Sequence, residues 1–121
     1  MAFFFARQGY DVWINNSRGN RYSRHHKYLD ADHDSEFWDF SLQEMGQYDQ
    51  PAFIDYVREL TGKEKLNYLG HSQGSAQMLV GLSENAEFFR DRLNLIMLVA
   101  PAPRMNYTLF KPKNLAKILS I

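Results

Sequence analysis

The stretch LNYLGHSQGSA, residues 66–76, decides how this chain folds. Its first part, Leu66–Leu69, is mostly apolar and typical of a short strand, and Gly70–Gly74 follows with the pattern G-x-S-x-G. The next segment, Ser75–Leu82, is also mostly apolar and is typical of a buried helix. We therefore predict a strand, a tight turn with Ser72 at its tip, and a helix, in that order.

The residue types of this turn indicate a catalytic serine. A tight strand-to-helix turn holds the serine in a strained backbone conformation with its hydroxyl exposed. Gly70 and Gly74 carry no side chains, so strand and helix can approach closely, and His71 is the variable position of the pattern. The backbone N–H of Gln73 falls at the helix start, where the helix dipole favours an oxyanion. We predict Ser72 as nucleophile and Gln73 as backbone oxyanion donor; the alternative is an ordinary glycine-rich turn.

The composition is that of one small globular domain. The chain has 121 residues, of which 45% are hydrophobic and 15% aromatic. Its formal net charge is zero, so nothing suggests binding to nucleic acid by long-range attraction. There are no cysteines, which excludes disulfides and thiolate metal sites. The longest apolar stretch, Leu95–Ala102, is too short to span a bilayer.

Helix signals occur on the N-terminal side of the Gly70–Gly74 turn, which we call the elbow. Ser41–Glu44 has the sequence of a capping box and predicts a helix from Leu42. Pro51 is typical of the first turn of the next helix, and Gly62 is expected to end it. Four apolar residues of that helix are predicted to share one face: Phe53, Ile54, Val57 and Leu60.

Alternating strands and helices predict an α/β fold. We expect a helix over Met1–Gln8 ended by a glycine, strands at Tyr10–Asn15 and Lys65–Gly70, a short helix near Phe88, and a buried strand at Leu93–Ala100. This order favours a mainly parallel sheet with helices on both faces. Ligands of such sheets bind beyond the carboxyl ends of the strands, which is where the predicted turn lies.

Several motifs stand in the order and spacing of one protein family. They are GYDVW (Gly9–Trp13), NSRGN (Asn16–Asn20), SRHHK (Ser23–Lys27), EFWDF (Glu36–Phe40), Glu44-Met45, Tyr48-Asp49 and GHSQG (Gly70–Gly74). Over most of its length the chain thus resembles the acid lipase family of lysosomal and gastric lipases. The resemblance implies a partial α/β-hydrolase fold with Ser72 as nucleophile, no cofactor or metal, and a lysosomal or secreted location. The implied substrates are lipid esters of long acyl chains, such as triglycerides or sterol esters.

The resemblance also implies catalytic partners that these residues do not supply. In this fold an aspartate and then a histidine follow the serine. No histidine follows Ser72 here, and the only later aspartate, Asp91, is predicted on a surface helix. In the family, the second oxyanion donor lies in the loop after the third strand. The similarity of this chain to the family begins at Met1, in the helix that follows that loop. We expect residues 1–103 to be the central part of an α/β-hydrolase domain, with a gap in its sheet, and residues 104–121 to begin its cap region.

An unaided serine hydroxyl is a weak nucleophile, so we expect negligible esterase activity from this chain alone. One alternative is therefore a catalytically inactive hydrolase fragment or an interaction module. Another is a different serine acyl hydrolase, such as a thioesterase or acyltransferase, because these share the nucleophile. Basic residues of the tail could contact a lipid surface or simply be solvated: Lys111, Lys113 and Lys117. The oligomeric state is not predicted.

Three other groups of residues are candidates for function. Acidic residues alternate between positions 30 and 36 near His25, His26 and His33, but Ser35 and Ser41 stand where a calcium-binding loop needs Gly and Glu, so we predict a solvated loop. Arg18 could bind a substrate carboxylate, but we predict that it braces backbone carbonyls. The aromatic residues Phe37, Trp38 and Phe40 could line an acyl pocket, although core packing is the default.

Overall fold

The structure, a computed structural model, describes residues 1–101 as a two-stranded parallel sheet with helices packed beside it. In chain order its elements are α1 (Ala2–Arg7), a 3₁₀ turn (Ser35–Trp38), α2 (Leu42–Glu44), a π-helical turn (Met45–Asp49), α3 (Gln50–Thr61), β1 (Leu66–His71), α4 (Gln73–Arg92) and β2 (Leu93–Val99). The predicted cap region and the basic tail lie outside the described residues. None of the helices in residues 1–101 has the length and apolar character needed to cross a membrane.

The sheet is formed by one β–α–β unit. β1 pairs in parallel with β2, with Leu69 opposite Met97 and His71 opposite Val99. The connecting helix α4 packs on both strands. The predicted order of strand, turn, helix and strand is therefore confirmed, and β1 begins and ends one residue later than predicted.

The core lies between this sheet and the helices α3 and α4. Its buried members are Ile54, Met78, Phe89 and Leu93, and alternate residues of the strands, including Tyr68 and Ile96, pack against them. The intervening residues of β2 point the other way, and Leu95 remains 49% exposed. The prediction of a buried strand at Leu93–Ala100 is therefore wrong in its burial, because α4 covers only one of its faces.

The predicted strand at Tyr10–Asn15 is wrong. These residues form no ladder with either strand of the described sheet, and within residues 1–101 only Tyr10 makes a backbone–backbone hydrogen bond, from its N–H to the Phe5 carbonyl (3.2 Å). Trp13 instead meets Tyr56 edge to face at 6.4 Å between ring centroids. Residues with high β-propensity need a neighbouring strand to satisfy their backbone groups, and the described chain does not place one there.

The capping box is formed as predicted. The Ser41 hydroxyl accepts the N–H of Gln43 (3.1 Å), and the Glu44 carboxylate accepts the N–H of Ser41 (2.7 Å). The Ser41 hydroxyl also donates to the Glu44 carboxylate (2.8 Å), and this bond, followed by the one from the Ser41 N–H, holds the pKa of Glu44 below its usual value. Helix α3 ends at Gly62, whose φ of 66° is left-handed.

The helical layer depends on a close contact between two backbones. A Cβ at Gly46, in the π-helical turn, would lie 2.6 Å from the Gln77 carbonyl oxygen of α4. A Cβ at Gly81 would lie 2.9 Å from the Gly46 carbonyl oxygen. The two segments can therefore cross at this distance only because both positions are glycine.

Helix α4 is kinked where two separate helices were predicted. Asn85 has non-helical backbone angles (φ −150°, ψ 73°), and its side-chain oxygen accepts the N–H of Phe88 at 3.1 Å. This bond caps the second half of α4 and satisfies a donor that the kink would otherwise leave free. The change of direction brings Phe89 back over Gly81, where a Cβ would lie 2.6 Å from its ring.

Two apolar residues of α3 should differ sharply when they are truncated. Ile54 is 2% exposed in the core, whereas Leu60, which was predicted on the same face, is 56% exposed. We expect Ile54→Ala to lower the free energy of unfolding by about 2–5 kcal/mol. Leu60→Ala is the matched control and should cost less than about 1 kcal/mol. Urea unfolding followed by circular dichroism measures both, and equal losses would contradict the described packing.

Candidate active site

Ser72 occupies a one-residue turn between β1 and α4. Its backbone is left-handed (φ 50°, ψ −109°) and its side chain is exposed. Such a conformation is strained for a residue with a Cβ. Two hydrogen bonds hold it: the Ser72 N–H donates to the Val99 carbonyl (2.9 Å), and the Ser72 carbonyl accepts the Ala76 N–H (3.1 Å). The serine hydroxyl is thus presented to solvent by a rigid backbone.

The two glycines of the turn are not equivalent. A Cβ at Gly70 would lie 2.8 Å from the Ser75 nitrogen and 2.9 Å from the Gly74 carbonyl carbon. These are backbone atoms of α4 that cannot move without opening the turn. A Cβ at Gly74 would meet only the Tyr68 hydroxyl, at 3.6 Å, which is an ordinary contact. Close approach of strand and helix therefore requires glycine at position 70 but not at position 74.

Two further side chains, neither of which the sequence pattern predicts, brace the turn from below. The Tyr68 hydroxyl donates to the Gly74 carbonyl at 2.8 Å. The fully buried Ser75 hydroxyl lies 2.9 Å from the Gly70 carbonyl oxygen and 3.0 Å from that of Val99. A buried hydroxyl in an otherwise apolar segment was the available signal for Ser75. Burial raises the pKa of Tyr68 to about 12.

The backbone N–H of Gln73 is available to a ligand. It is the first residue of α4, where backbone donors lack partners within the helix. Among residues 1–101 this N–H has no hydrogen-bond acceptor, and the Gln73 side chain is exposed. Its side-chain amide donates to the Met45 sulfur at 3.3 Å. The structure thus leaves a free donor directly after Ser72.

Within the described residues no general base is hydrogen-bonded to Ser72. His33 contacts the Asp30 carboxylate at 3.0 Å, and Asp91 is exposed and contacts Arg90. The other histidines make no hydrogen bond to the serine either: His25, His26 and His71. The part of the chain that the structure describes therefore presents an exposed serine hydroxyl and a free backbone N–H, without a hydrogen-bonded acid and base beside them.

The acidic loop is held by its own hydrogen bonds. The Asp30 carboxylate accepts the N–H groups of Asp32 (2.7 Å) and His33 (3.1 Å), and Arg24 pairs with Asp32. The Asp32 backbone bond, followed by the His33 side chain, holds the pKa of Asp30 below its usual value. In residues 1–101 no group of three potential ligands is arranged to hold a metal ion. These carboxylates therefore stabilise loop turns.

Arg18 braces two segments of the protein, as predicted, but through a carboxylate instead of backbone carbonyls. Its N–H and its Nε donate to Asp49 at 2.9 and 2.8 Å. The guanidinium also lies 5.9 Å from the Phe40 ring centroid and 5.8 Å from that of Tyr48. Because Nε and Nη2 of the guanidinium both lie within 2.8 Å of Asp49 Oδ1 and the group also contacts two aromatic rings, Arg18 is held by the protein and is not available to a substrate carboxylate.

The aromatic residues near Arg18 pack on one another. Phe37 is buried, and its ring lies 4.9 Å from that of Trp38, edge to face. A Cβ at Gly19 would lie 2.6 Å from the Phe40 ring, so these rings close over the loop that carries Arg18. The packing interpretation of the aromatic cluster therefore describes it better than an acyl pocket.

The amino-acid sequence is similar to those of known lipases. Residues 2–117 match the family described as alpha/beta hydrolase fold. The chain is 48% identical over 102 residues to Lipase 1 of Drosophila melanogaster. This match covers 84% of the chain and 23% of that protein. The chain is 43% identical over 108 residues to gastric triacylglycerol lipase of Mus musculus (89% and 27%) and 41% identical over 118 residues to Lipase member K of Homo sapiens (98% and 29%). The chain spans about a quarter of the length of these relatives.

The unequal glycines give a direct test of the turn. We expect Gly70→Ala to lower the free energy of unfolding by about 1–3 kcal/mol, because its Cβ meets backbone atoms. Gly74→Ala is the matched control and should change stability by less than about 1 kcal/mol, since the new methyl has room and alanine favours a helix. Urea unfolding measures both. A larger loss for Gly74→Ala than for Gly70→Ala would contradict the described approach of β1 to α4.

The buried phenol of Tyr68 should make stability depend on alkaline pH. Its pKa of about 12 in the folded protein lies above the ordinary value of 10.0, so the folded state keeps the proton after the unfolded state has lost it. Stability from this group is therefore complete below pH 10 and is lost as the pH rises from about 10 to about 12. We expect urea midpoints to fall less steeply over this range in Tyr68→Phe than in the parent.

The control for this measurement is Tyr22→Phe, which removes an exposed phenol and the same chromophore. Absorbance titration of the phenolate identifies the late-titrating group. If Tyr68→Phe and the parent lose stability in parallel above pH 10, the burial of this phenol has no energetic consequence and the expectation is wrong.

Proposed function

We propose that this chain, which belongs to the alpha/beta hydrolase fold family, carries the nucleophile of a serine ester hydrolase of the acid lipase type. The observation that carries the proposal is the left-handed, solvent-exposed Ser72 at a one-residue turn from strand to helix. Strain of this kind persists only where the surrounding structure enforces it, and it is concentrated at reactive positions. The free N–H of Gln73 beside it supports the same reading.

The proposed reaction is acyl transfer through a covalent intermediate. The Ser72 hydroxyl oxygen attacks the ester carbonyl carbon, and its proton passes to a general base. The carbonyl oxygen becomes an oxyanion that the Gln73 N–H stabilises. Collapse of the intermediate breaks the bond to the alcohol, which leaves with the proton from the base. Water then attacks the acyl-serine by the same route and releases the fatty acid.

The acid and base of this reaction must come from residues outside the described part of the protein. We propose that residues 1–103 are the central part of the hydrolase domain and that residues 104–121 begin its cap. A longer product of about the relatives' length would then supply the aspartate, the histidine and a second oxyanion donor. For the 121-residue chain alone we expect negligible activity, because an unassisted serine hydroxyl is a poor nucleophile.

We propose lipid esters of long acyl chains, such as triglycerides or sterol esters, as the substrate class. Support comes from the similarity to proteins named as lipases, one of them a gastric triacylglycerol lipase. A secreted or lysosomal location is proposed on the same similarity. Thioester hydrolysis and acyl transfer use the same nucleophile, so product analysis must separate them from ester hydrolysis.

Substitution of Ser72 tests the catalytic role. In the longer product, we expect Ser72→Ala to lower kcat on a p-nitrophenyl ester by at least about 1,000-fold, because the acyl-enzyme cannot form. Ser83→Ala is the matched control: this exposed serine lies on α4, the helix that follows Ser72, its hydroxyl donates to the Val80 carbonyl (2.7 Å), and its loss should leave kcat unchanged. Labelling by a fluorophosphonate should be lost in Ser72→Ala alone.

The same assay separates the competing functions. Release of fatty acid from an emulsified triacylglycerol, exceeding hydrolysis of an acyl thioester, would support the lipase proposal. Hydrolysis by the 121-residue chain that disappears in Ser72→Ala would show that a base is present within it. Absence of Ser72-dependent hydrolysis from the longer product would favour a non-catalytic interaction module.

A further inference from the structure

Ser75 lies where the ends of both strands meet. Its hydroxyl oxygen is 2.9 Å from the carbonyl oxygen of Gly70 in β1 and 3.0 Å from that of Val99 in β2. The Ser75 side chain is fully buried, and its contact with the Gly70 carbonyl is buried as well. A hydroxyl has one hydrogen, which these two acceptors must share. Ser75 thus links the C-terminal ends of β1 and β2, which are separated in the sequence by α4.

The two carbonyls that Ser75 holds are next to the strained residues of the site. Ser72 follows the end of β1 with a φ of 50°, and Ala100 follows β2 with a φ of 49°. The Val99 carbonyl also accepts the Ser72 N–H at 2.9 Å, so it is shared by the nucleophile's backbone and the Ser75 hydroxyl. Any shift of this carbonyl therefore moves the backbone of Ser72.

We infer that Ser75 is a positioning residue for the nucleophile: its hydroxyl fixes the Val99 carbonyl, and this carbonyl fixes the backbone of Ser72 and, through it, the N–H of Gln73. Ser75 itself touches no substrate, because it is buried beneath the turn. The inference rests on the proposed function for its catalytic consequence but not for its structural part. Misplacement of reacting groups by a fraction of an ångström to 1 Å is enough to slow an enzyme severely.

The catalytic consequence should appear in kcat. In the longer product we expect Ser75→Ala to lower kcat about 10- to 100-fold with KM within about twofold, since the binding surface is unchanged while the nucleophile is displaced. Ser75→Thr keeps the hydroxyl and should recover most of kcat. Ser75→Cys keeps the volume with a weaker donor and should fall between parent and Ser75→Ala. Ser83→Ala, the matched serine of α4, should behave as the parent.

The structural consequence is measured on the 121-residue chain by amide hydrogen exchange. We expect the Ser72 N–H to exchange about tenfold faster in Ser75→Ala, because its acceptor at Val99 is no longer held. Exchange at core amides of α3, such as that of Val57, is the reference for global stability. If Ser75→Ala does not fold, Ser75→Cys gives the same comparison with a smaller effect.

The outcomes distinguish the two proposals. A loss of kcat together with faster Ser72 exchange supports the inference. Unchanged exchange at Ser72, or equal acceleration at Ser72 and Val57, overturns it, as does a rise in KM without a fall in kcat. If the longer product shows no Ser72-dependent hydrolysis, the proposed function fails, and the exchange data still decide whether Ser75 positions the turn.

Discussion

The contact of strand and helix backbones at Gly70 is the constraint on which the rest of the structure depends. With the Ser75 nitrogen only 2.8 Å from where a Cβ would stand, β1 and α4 leave room for a single connecting residue. That residue, Ser72, must adopt a left-handed backbone to reverse the chain direction. The exposed hydroxyl, the free N–H that follows it and the shared carbonyl of Val99 are consequences of this one approach.

A second close contact between backbones determines how the helices pack beside the contact at Gly70. The glycines at positions 46 and 81 let the π-helical turn lie against α4, and the kink at Asn85 folds Phe89 over the same crossing. Helix α3 follows the π-helical turn directly, and its residue Ile54 faces the core. The elbow is thus supported from the sheet by Tyr68 and from the helices by glycine contacts. The glycine contacts place backbone against backbone, which leaves little freedom for the turn at Ser72 to relax.

Local sequence signals predicted the secondary-structure elements, whereas long-range contacts determined how those elements pack and which residues they bury. The elbow, the capping box and the glycine that ends α3 were predictable because each depends on residues within one turn. The strand at Tyr10–Asn15 failed because a strand also needs a partner, which its own residues do not specify. Leu60 was placed on the buried face by periodicity alone, yet nothing in the described chain covers it. The roles of Tyr68 and Ser75 could not be predicted, because they depend on where the Gly74 and Val99 carbonyls come to lie in space.

The elements β1, α4 and β2 follow one another in the chain without long loops, and this order has a consequence for how the protein folds. The paired strands are separated in the chain by one helix, and their crossover uses no long loop. The entropic cost of loop closure is smaller for these strand partners than for the hydrogen bond from Ser17 to Gln77, 60 positions along the chain, which helps to hold the segment before α2. We expect the β–α–β unit to assemble early and the N-terminal loops to dock on it afterwards. The strained serine would then be set in place by the part of the chain that folds with the fewest distant contacts.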